Sequence, residues 1–242
     1  YGEIKTFPWF KVRAGKFTPP LGLERLQSGS AITFVERAHP TSLVPNRDTG
    51  LQVSGDSANG VFSYQAALFN GVVDGGTGET DTTDDKDFVG RIFTHPFKTS
   101  SSDWINGLGI GAAASIGHQE GATASGASQL PSFRTPAQQT FFSYTAGATP
   151  TIGDGRRTRV VPQAYWYIGS LGLLGECALS SQEVTRVAVS TTSATINNRA
   201  WQAAVSYVVT GERASFRGVK PRQPFDPKNG GWGALELAGR YS

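Results

Sequence analysis

The residues that could do catalytic chemistry are few and scattered. Histidine occurs at three separate positions, His39, His95 and His118, without the H-E-x-x-H spacing that lets two imidazoles on one helix face hold zinc. The single cysteine, Cys177, excludes an internal disulfide and a cysteine-based zinc site. The chain also lacks a G-x-S-x-G stretch that would carry a nucleophilic serine. The sequence therefore predicts a protein that is not an enzyme and that needs no cofactor or metal.

Two short motifs could be interpreted as ligand sites. An acidic run offers the oxygen ligands that Ca²⁺ prefers, but it lacks the fixed EF-hand spacing, so a solvated loop is favoured. Its members are Asp74, Glu79, Asp81, Asp84, Asp85 and Asp87. The glycines of residues 107–112 resemble a dinucleotide-binding loop, which requires a strand before it and a helix after it. They lie inside a strand pattern, so no nucleotide site is expected.

Basic residues form the most regular chemical pattern. Five of them alternate with apolar residues along strand-like stretches: Lys11, Arg13, Arg91, Arg159 and Arg240. On a lipid-facing surface each charge would cost about 2–4 kcal/mol at the midplane, so these cations are expected to face a wet interior. There they could line a path for anions, or they could pair with carboxylates such as Asp48, Glu176 and Glu236. The net charge of +3 is too small to imply a nucleic-acid partner.

Strands are the elements that must position these side chains, because polar and apolar residues alternate with period two along most of the chain. Nine such stretches occur, at residues 10–17, 47–55, 61–70, 87–97, 108–116, 158–169, 171–184, 199–210 and 231–242. They run about ten residues, the length of a tilted membrane span, and aromatic residues gather near their ends. The pattern favours an all-β fold, an antiparallel transmembrane barrel, over a soluble β-domain that binds glycans.

The register of the alternation predicts which side chains face lipid. They should include Leu51, Val53, Ile92, Ile110, Leu173, Val205, Leu235 and Leu237. Connections also alternate in length, as they do in outer-membrane barrels. Long ones fall at residues 18–46, 71–86, 119–156 and 185–196, and short ones at 56–60, 98–106 and 169–170. The Pro-rich segment 212–230 is an unexplained long connection on the short side. Residues 138–145 could form an extra strand, but counting it as a span would reverse the direction of every later strand, so they are assigned to a long loop.

Several stretches, spread in order over nearly the whole chain, carry a family resemblance. They are GKFTPPLGLERLQS (15–28), ITFVERA (32–38), PNRDTGLQ (45–52), DDKDFVGRIF (84–93), LPSFRTPAQQTFFSY (130–144), PQAYWYIGSLGLLGE (162–176), WQAAVSYVVTGE (201–212), GVKPRQPFDP (218–227) and GGWGALELAGRYS (230–242). Together they resemble the phosphate-selective porins O and P of Gram-negative outer membranes. The resemblance implies a 16-stranded barrel, of which residues 1–242 form a single partial domain of nine or ten strands, with further strands before Tyr1 and after Ser242.

The resemblance also gives a role to residues 18–46. In this family such a loop folds inward and narrows the pore. Arg25, Ser28 and Arg37 stand where the family places a cation, a hydroxyl and a second cation around the permeating phosphate. Better-known members have Lys and a pair of serines where this chain has Arg25 and Ser28, which puts strict phosphate selectivity in doubt. The alternative is an outer loop whose arginines pair with Glu24 or Glu36.

The expected function is passive diffusion of small anions, phosphate or polyphosphate, through a multi-pass porin of the Gram-negative outer membrane. The expected partners are those anions, outer-membrane lipid and lipopolysaccharide, and other copies of the chain in a homotrimer, with no nucleic acid. The alternative function is structural: a barrel that anchors or docks another component of the envelope.

Overall fold

The computed structural model of the chain describes residues 1–79, 84–122, 128–135, 139–188 and 190–242. Strands dominate these ranges, which confirms the predicted all-β class. Helical segments are short: α1 (Leu23–Leu26) and 3₁₀ turns at His39–Leu43 and Pro227–Asn229. Across the same ranges, none of the helices combines the length and the apolar character needed to cross a membrane.

Ten strands form one large sheet in which every neighbouring pair is antiparallel. They are β1 (Gly2–Phe7), β2 (Phe10–Phe17), β3 (Asp48–Asp56), β4 (Phe62–Phe69), β5 (Asp87–Thr94), β6 (Leu108–Glu120), β9 (Thr151–Ile168), β10 (Leu171–Arg186), β11 (Thr192–Val208) and β14 (Glu236–Tyr241). Their order in the sheet follows the chain, with β1 and β14 at the two edges. The remaining strands form two small hairpins, β7 (Phe133–Arg134) with β8 (Thr140–Phe142) and β12 (Phe225–Asp226) with β13 (Gly231–Trp232).

All nine predicted strands occur in the large sheet, and β2 has the predicted bounds. The sequence pattern did not predict β1, and it made β9 and β11 too short. β9 begins at Thr151 and β11 at Thr192, about seven residues before the predicted starts. Their added residues are mostly polar or glycine, with Ile152, Ala194 and Ile196 as the apolar exceptions, so the apolar alternation weakens while backbone pairing to β10 continues. Residues 138–145 were predicted to lie in a long loop. They contain the short strand β8, which pairs with β7 and lies outside the large sheet, and residue 138 is not among the described residues.

The sheet has two chemically distinct faces. All eight residues predicted to face lipid lie on one face, which we call the outer face; Val53 and Leu173 are half-buried and the other six are exposed. The opposite face, here the inner face, carries the buried side chains of Gln52, Arg159, Gln163, Glu176 and Gln202. Polar side chains that are buried need hydrogen-bond partners. Other parts of the chain must therefore cover the inner face and supply those partners.

Three connections cover the inner face: residues 18–47, residues 70–79 and part of residues 209–235. Apolar side chains of the first connection, including Leu21, Leu43 and Val44, pack with Phe17 and Phe69 from the strands in one buried cluster. The core thus lies between the sheet and the connection, on the inner side. Burial of such side chains is worth about 1.5–3 kcal/mol each, so it fixes the connection against the strands.

Candidate functional site

Carboxylates and amides of the strand side chains hold residues 18–46 on the inner face. The carboxylate of Glu176 on β10 accepts hydrogen bonds from the backbone N–H of Leu23 at 2.6 Å and of Glu24 at 3.2 Å. Gln163 on β9 donates to the carbonyl of Leu21 at 2.9 Å. The two bonds to Glu176 satisfy N–H groups at the start of α1 that have no intrahelical acceptor. They also place α1 directly over β9 and β10.

The loop folds back on itself around Glu24 and Arg37. The Glu24 carboxylate accepts the backbone N–H of Ala38 at 2.8 Å. Arg37 Nη2 donates to the carbonyl of Gln27 at 2.8 Å, and Arg37 Nη1 donates to the carbonyl of Glu24. These contacts bring the segment around Arg25 next to the segment around Arg37, which lies 12 residues further along the chain. The two arginines can meet only if the loop folds back in this way. Glu24 pairs instead with Arg240 of β14, whose Nη1 lies 3.2 Å from Glu24 Oε1, and not with an arginine of the loop as the alternative expected.

Arg25 and Arg37 share an environment of neutral oxygen atoms. Arg25 Nη1 donates to Asn46 Oδ1 at 3.1 Å, and its Nη2 donates to the carbonyl of Thr41. Within the described residues, neither arginine has a carboxylate partner. Burial, together with the nearby charge of Arg37, lowers the pKa of Arg25 to about 10. The Arg25 side chain therefore remains cationic at neutral pH.

The loop separates two cavities, and the three predicted loop residues do not share one. A cavity of about 660 Å³ is lined by Arg25 and Arg37, together with Arg134 and Arg240. A second cavity, of about 740 Å³, is lined by Ser28. The hydroxyl of Ser28 is exposed and lies 3.0 Å from Ser30 Oγ. Arg25 and Arg37 thus come together on one side of the loop, while Ser28 lies on the other.

The five cations predicted on the strands all project toward the inner face, but most of them have acidic partners. Lys11 Nζ lies 2.5 Å from Asp56 Oδ2, and Arg13 pairs with Glu3. Arg240 pairs with Glu24, and it also donates to the carbonyl of Glu36 at 2.8 Å. Arg91 differs, because it donates to Gln163 Oε1 at 3.0 Å and to Gln65 Oε1 at 3.4 Å. We call Arg25, Arg37 and Arg91 the amide-held arginines, since amide oxygens of the backbone or of side chains accept their hydrogen bonds.

Arg159 belongs to a buried cluster that the sequence analysis did not find. Its Nε lies 2.6 Å from Asp74 Oδ1 and its Nη1 lies 2.9 Å from Asp87 Oδ2, which also accepts Arg157 Nη2 at 2.9 Å. We call these four residues the arginine–aspartate cluster. Their side chains are at most 5% exposed. The spacing of Arg157 and Arg159, two apart on one strand face, was the available signal for a paired arrangement.

Other acidic side chains make contacts different from the ones that the sequence suggested. The Asp48 carboxylate accepts the backbone N–H of Gly71 at 2.8 Å and of Thr49 at 2.7 Å, so it fixes the start of a loop rather than pairing with a strand cation. From the acidic run, Asp74 and Asp87 bind arginine, Glu79 pairs with Lys16 at 2.7 Å, and Asp81 lies outside the described residues. No group of acidic, histidine or cysteine side chains suited to a metal ion occurs in the described ranges.

The segment at residues 212–230 folds against the loop from the opposite end of the sheet. Gln27 Nε2 donates to the carbonyl of Phe216 at 2.8 Å and to that of Ala31 at 2.9 Å. The Phe216 ring stacks on Tyr165, with ring centroids 5.2 Å apart. The segment and the loop together line the second cavity, which also contains Arg91. The alternation of long and short connections did not explain why residues 212–230 are so many. The structure does, because this segment folds over the inner face.

A sheet with an apolar outer face and a covered, cation-rich inner face is the arrangement of a porin wall with inserted loops. A family model described as phosphate-selective porin O and P matches residues 1–242, which is the whole chain. The chain belongs to the phosphate-selective porin O and P family. No curated protein matches the chain. Membership identifies an outer-membrane porin, a channel and not an enzyme, and it confirms the resemblance drawn from the sequence stretches.

Proposed function

We propose that this porin is a passive diffusion channel for small anions, with phosphate and its short polymers as preferred ions. The observation that carries the proposal is the set of amide-held arginines. Arg25, Arg37 and Arg91 form their hydrogen bonds with carbonyl and amide oxygens, so no described carboxylate forms an ion pair with any of them. Such charges next to solvent-filled cavities raise the local concentration of anions.

The two cavities give the loop the role of a constriction in this mechanism. An anion that enters the cavity beside Arg25 and Arg37 exchanges part of its hydration for hydrogen bonds with the guanidinium groups, which suit the oxygens of phosphate. It then passes residues 18–46 and reaches the cavity lined by Arg91 and Ser28. Several weak sites in series allow an ion to enter and to leave, which conduction requires.

The proposal also includes how the chain crosses the membrane and how copies of it assemble. The chain crosses the outer membrane several times through its strands, with its outer face against lipid and lipopolysaccharide. A trimer would bury part of that face between neighbouring copies. The exposed apolar side chains of the outer face, Leu51, Ile92 and Val205 among them, support these expectations, because an extended apolar surface marks a membrane or a protein contact.

Planar-bilayer recordings of the reconstituted porin test the proposal. In the double variant Arg25→Gln/Arg37→Gln, the anion-to-cation permeability ratio should fall roughly fivefold, since one unit charge at about 4 Å is worth about 1 kcal/mol even in water. Block of chloride current by phosphate should weaken as well. The effects should be largest at low salt, where screening is weak.

The matched control is Lys11→Gln/Asp56→Asn, which removes an inner-face cation together with its partner and leaves the net charge unchanged. Its reversal potential should equal that of the wild type. If the Arg25/Arg37 variant kept the wild-type reversal potential and phosphate block, the filter would lie elsewhere, on strand cations such as Arg13 and Arg240. A reconstituted protein that carries no current would favour the structural, docking role.

A further inference from the structure

The outer face of β9, β10 and β11 changes from apolar to polar at one row of side chains. The strand register places Val160, Leu179 and Arg199 directly across from one another. The next row toward the start of β9 contains Thr158, Ser181 and Asn197. In the opposite direction the rows of the outer face contain large apolar side chains, such as Trp201, Leu173 and Val205. Arg199 therefore lies at the border of the apolar band.

The two rows at this border form a groove on the outer face. Its volume is about 460 Å³, and residues 158, 160, 179–181 and 197–199 line it. Val160 and Leu179 remain 46% and 41% exposed. Within the described part of the chain, the Arg199 guanidinium makes no hydrogen bond and no ion pair, and the side chains of Ser181 and Asn197 also lack hydrogen-bond partners. The groove thus offers an apolar floor beside a free cation, a hydroxyl and an amide.

The position of the groove relative to the connections fixes the leaflet that it faces. The polar row lies toward the ends of the strands that connect through residues 121–150 and 187–191. Residues 18–47 and 70–86 emerge at the same end of the sheet, whereas the two-residue turns at 8–9 and 169–170 lie at the other end. Outer-membrane barrels have long loops outside and short turns in the periplasm, so the groove lies at the outer leaflet.

We propose that this groove binds a phosphorylated glycolipid of the outer leaflet. An acyl chain packs on Val160 and Leu179, Arg199 holds the phosphate through paired N–H donors, and Asn197 and Ser181 bind sugar hydroxyls. Arginine is suited to phosphate because its planar fork matches two oxygens at once. A free inorganic anion would gain nothing from the apolar floor. The proposal does not depend on which ion the channel conducts.

Native mass spectrometry of the detergent-solubilised porin, titrated with diphosphorylated lipid A, tests the assignment. The Arg199→Gln variant should bind the lipid about tenfold more weakly, as expected from the loss of a charge-assisted hydrogen bond of roughly 1.4 kcal/mol. Arg156→Gln is the matched control. It removes a cation from the same face of β9, but one that pairs with Glu183 at 3.7 Å, so binding should stay within twofold of wild type.

Two further measurements separate the sources of phosphate and the possible occupants. Lipid A without phosphate should bind the wild type as weakly as the intact lipid binds Arg199→Gln, and millimolar inorganic phosphate should not displace the intact lipid. Equal lipid binding by Arg199→Gln and wild type would overturn the proposal. Disulfide cross-linking between copies through Asn197→Cys, in a Cys177→Ala background, would also overturn it, because the groove would then be a contact between subunits.

Discussion

Two groups of arginines on the inner side of the sheet, one buried against the strands and one mainly on the covering loop, are held in opposite ways. In the arginine–aspartate cluster, Arg157 and Arg159 meet Asp74 and Asp87, so two positive and two negative charges cancel in a site that is almost fully buried. The amide-held arginines have no carboxylate ion-pair partner among the described residues, and all three line cavities, Arg25 and Arg37 the first and Arg91 the second. Arginine thus forms neutral ion pairs that stabilise the fold in one region, and it presents positive charge without an ion-pair partner in another.

The contrast follows from what surrounds each group. A charge in a dry interior is too costly unless an opposite charge and further hydrogen bonds accompany it. Arg25 and Arg37 line an open cavity instead of a closed interior, and there carbonyl and amide oxygens orient them although burial lowers the pKa of Arg25. Counting arginines in the sequence therefore overstates the positive potential of the pore, because only those without an acidic partner attract anions over a distance.

Breaking the buried cluster should give the largest effect on stability. Arg159→Met keeps most of the side-chain volume but leaves Asp74 buried without its cation, and the loss of one partner from such a pair costs about 3–5 kcal/mol. Urea unfolding of the porin in micelles measures the difference. Arg156→Met is the control on the same strand. Its exposed pair with Glu183 should contribute less than about 1 kcal/mol.

Equal unfolding midpoints for Arg159→Met and Arg156→Met would remove the distinction between the two groups of arginines. We also expect Arg159→Met to be less stable than the wild type while its reversal potential at high salt stays close to that of the wild type. The cluster lies in a buried site, and its role is to fasten residues 70–79 to β9.

Converting a paired arginine into an amide-held one should give an intermediate effect. Glu24→Gln retains an oxygen to accept the N–H of Ala38 but removes the carboxylate that pairs with Arg240. The cavity beside Arg25 gains one net positive charge, so anion preference should rise by up to about fivefold at low salt. Reversal potentials in a salt gradient measure it. Asp226→Asn makes the same charge change on the β12–β13 hairpin, outside both cavities, and should leave the preference unaltered.

Sequence alone predicted the strands and their faces well, because side-chain alternation has a period of two and one face meets lipid. It predicted the partners of individual charges poorly. Asp74 and Arg159 are 85 residues apart in the chain, and their 2.6 Å contact depends on how residues 70–79 fold over β9. The resemblance to known porins indicated Arg25 and Arg37, but it grouped Ser28 with them. The structure places Ser28 in a different cavity because α1 lies between the two.

The smallest expected effect is a pH dependence at the second cavity. His95 follows the end of β5, and its Nε2 lies 2.6 Å from Tyr165 Oη. Burial, with the charges of Lys98 and Arg91, lowers the pKa of His95 below the ordinary value of 6.5. The unfolded chain therefore takes up this proton first, and the porin loses stability as the pH falls below 6.5, until the folded imidazole also titrates.

At the lower pH where the folded His95 becomes charged, a new cation beside Arg91 should raise the anion preference of the channel slightly. Unfolding midpoints recorded from pH 8 downward should show the loss of stability below pH 6.5 in the wild type, and reversal potentials should shift at the lower pH where the folded imidazole titrates; both trends should be weaker in His95→Gln. His118→Gln, on the outer face of β6, should behave as the wild type. Identical pH profiles for His95→Gln and wild type would mean that the imidazole does not contribute to the charge of this cavity.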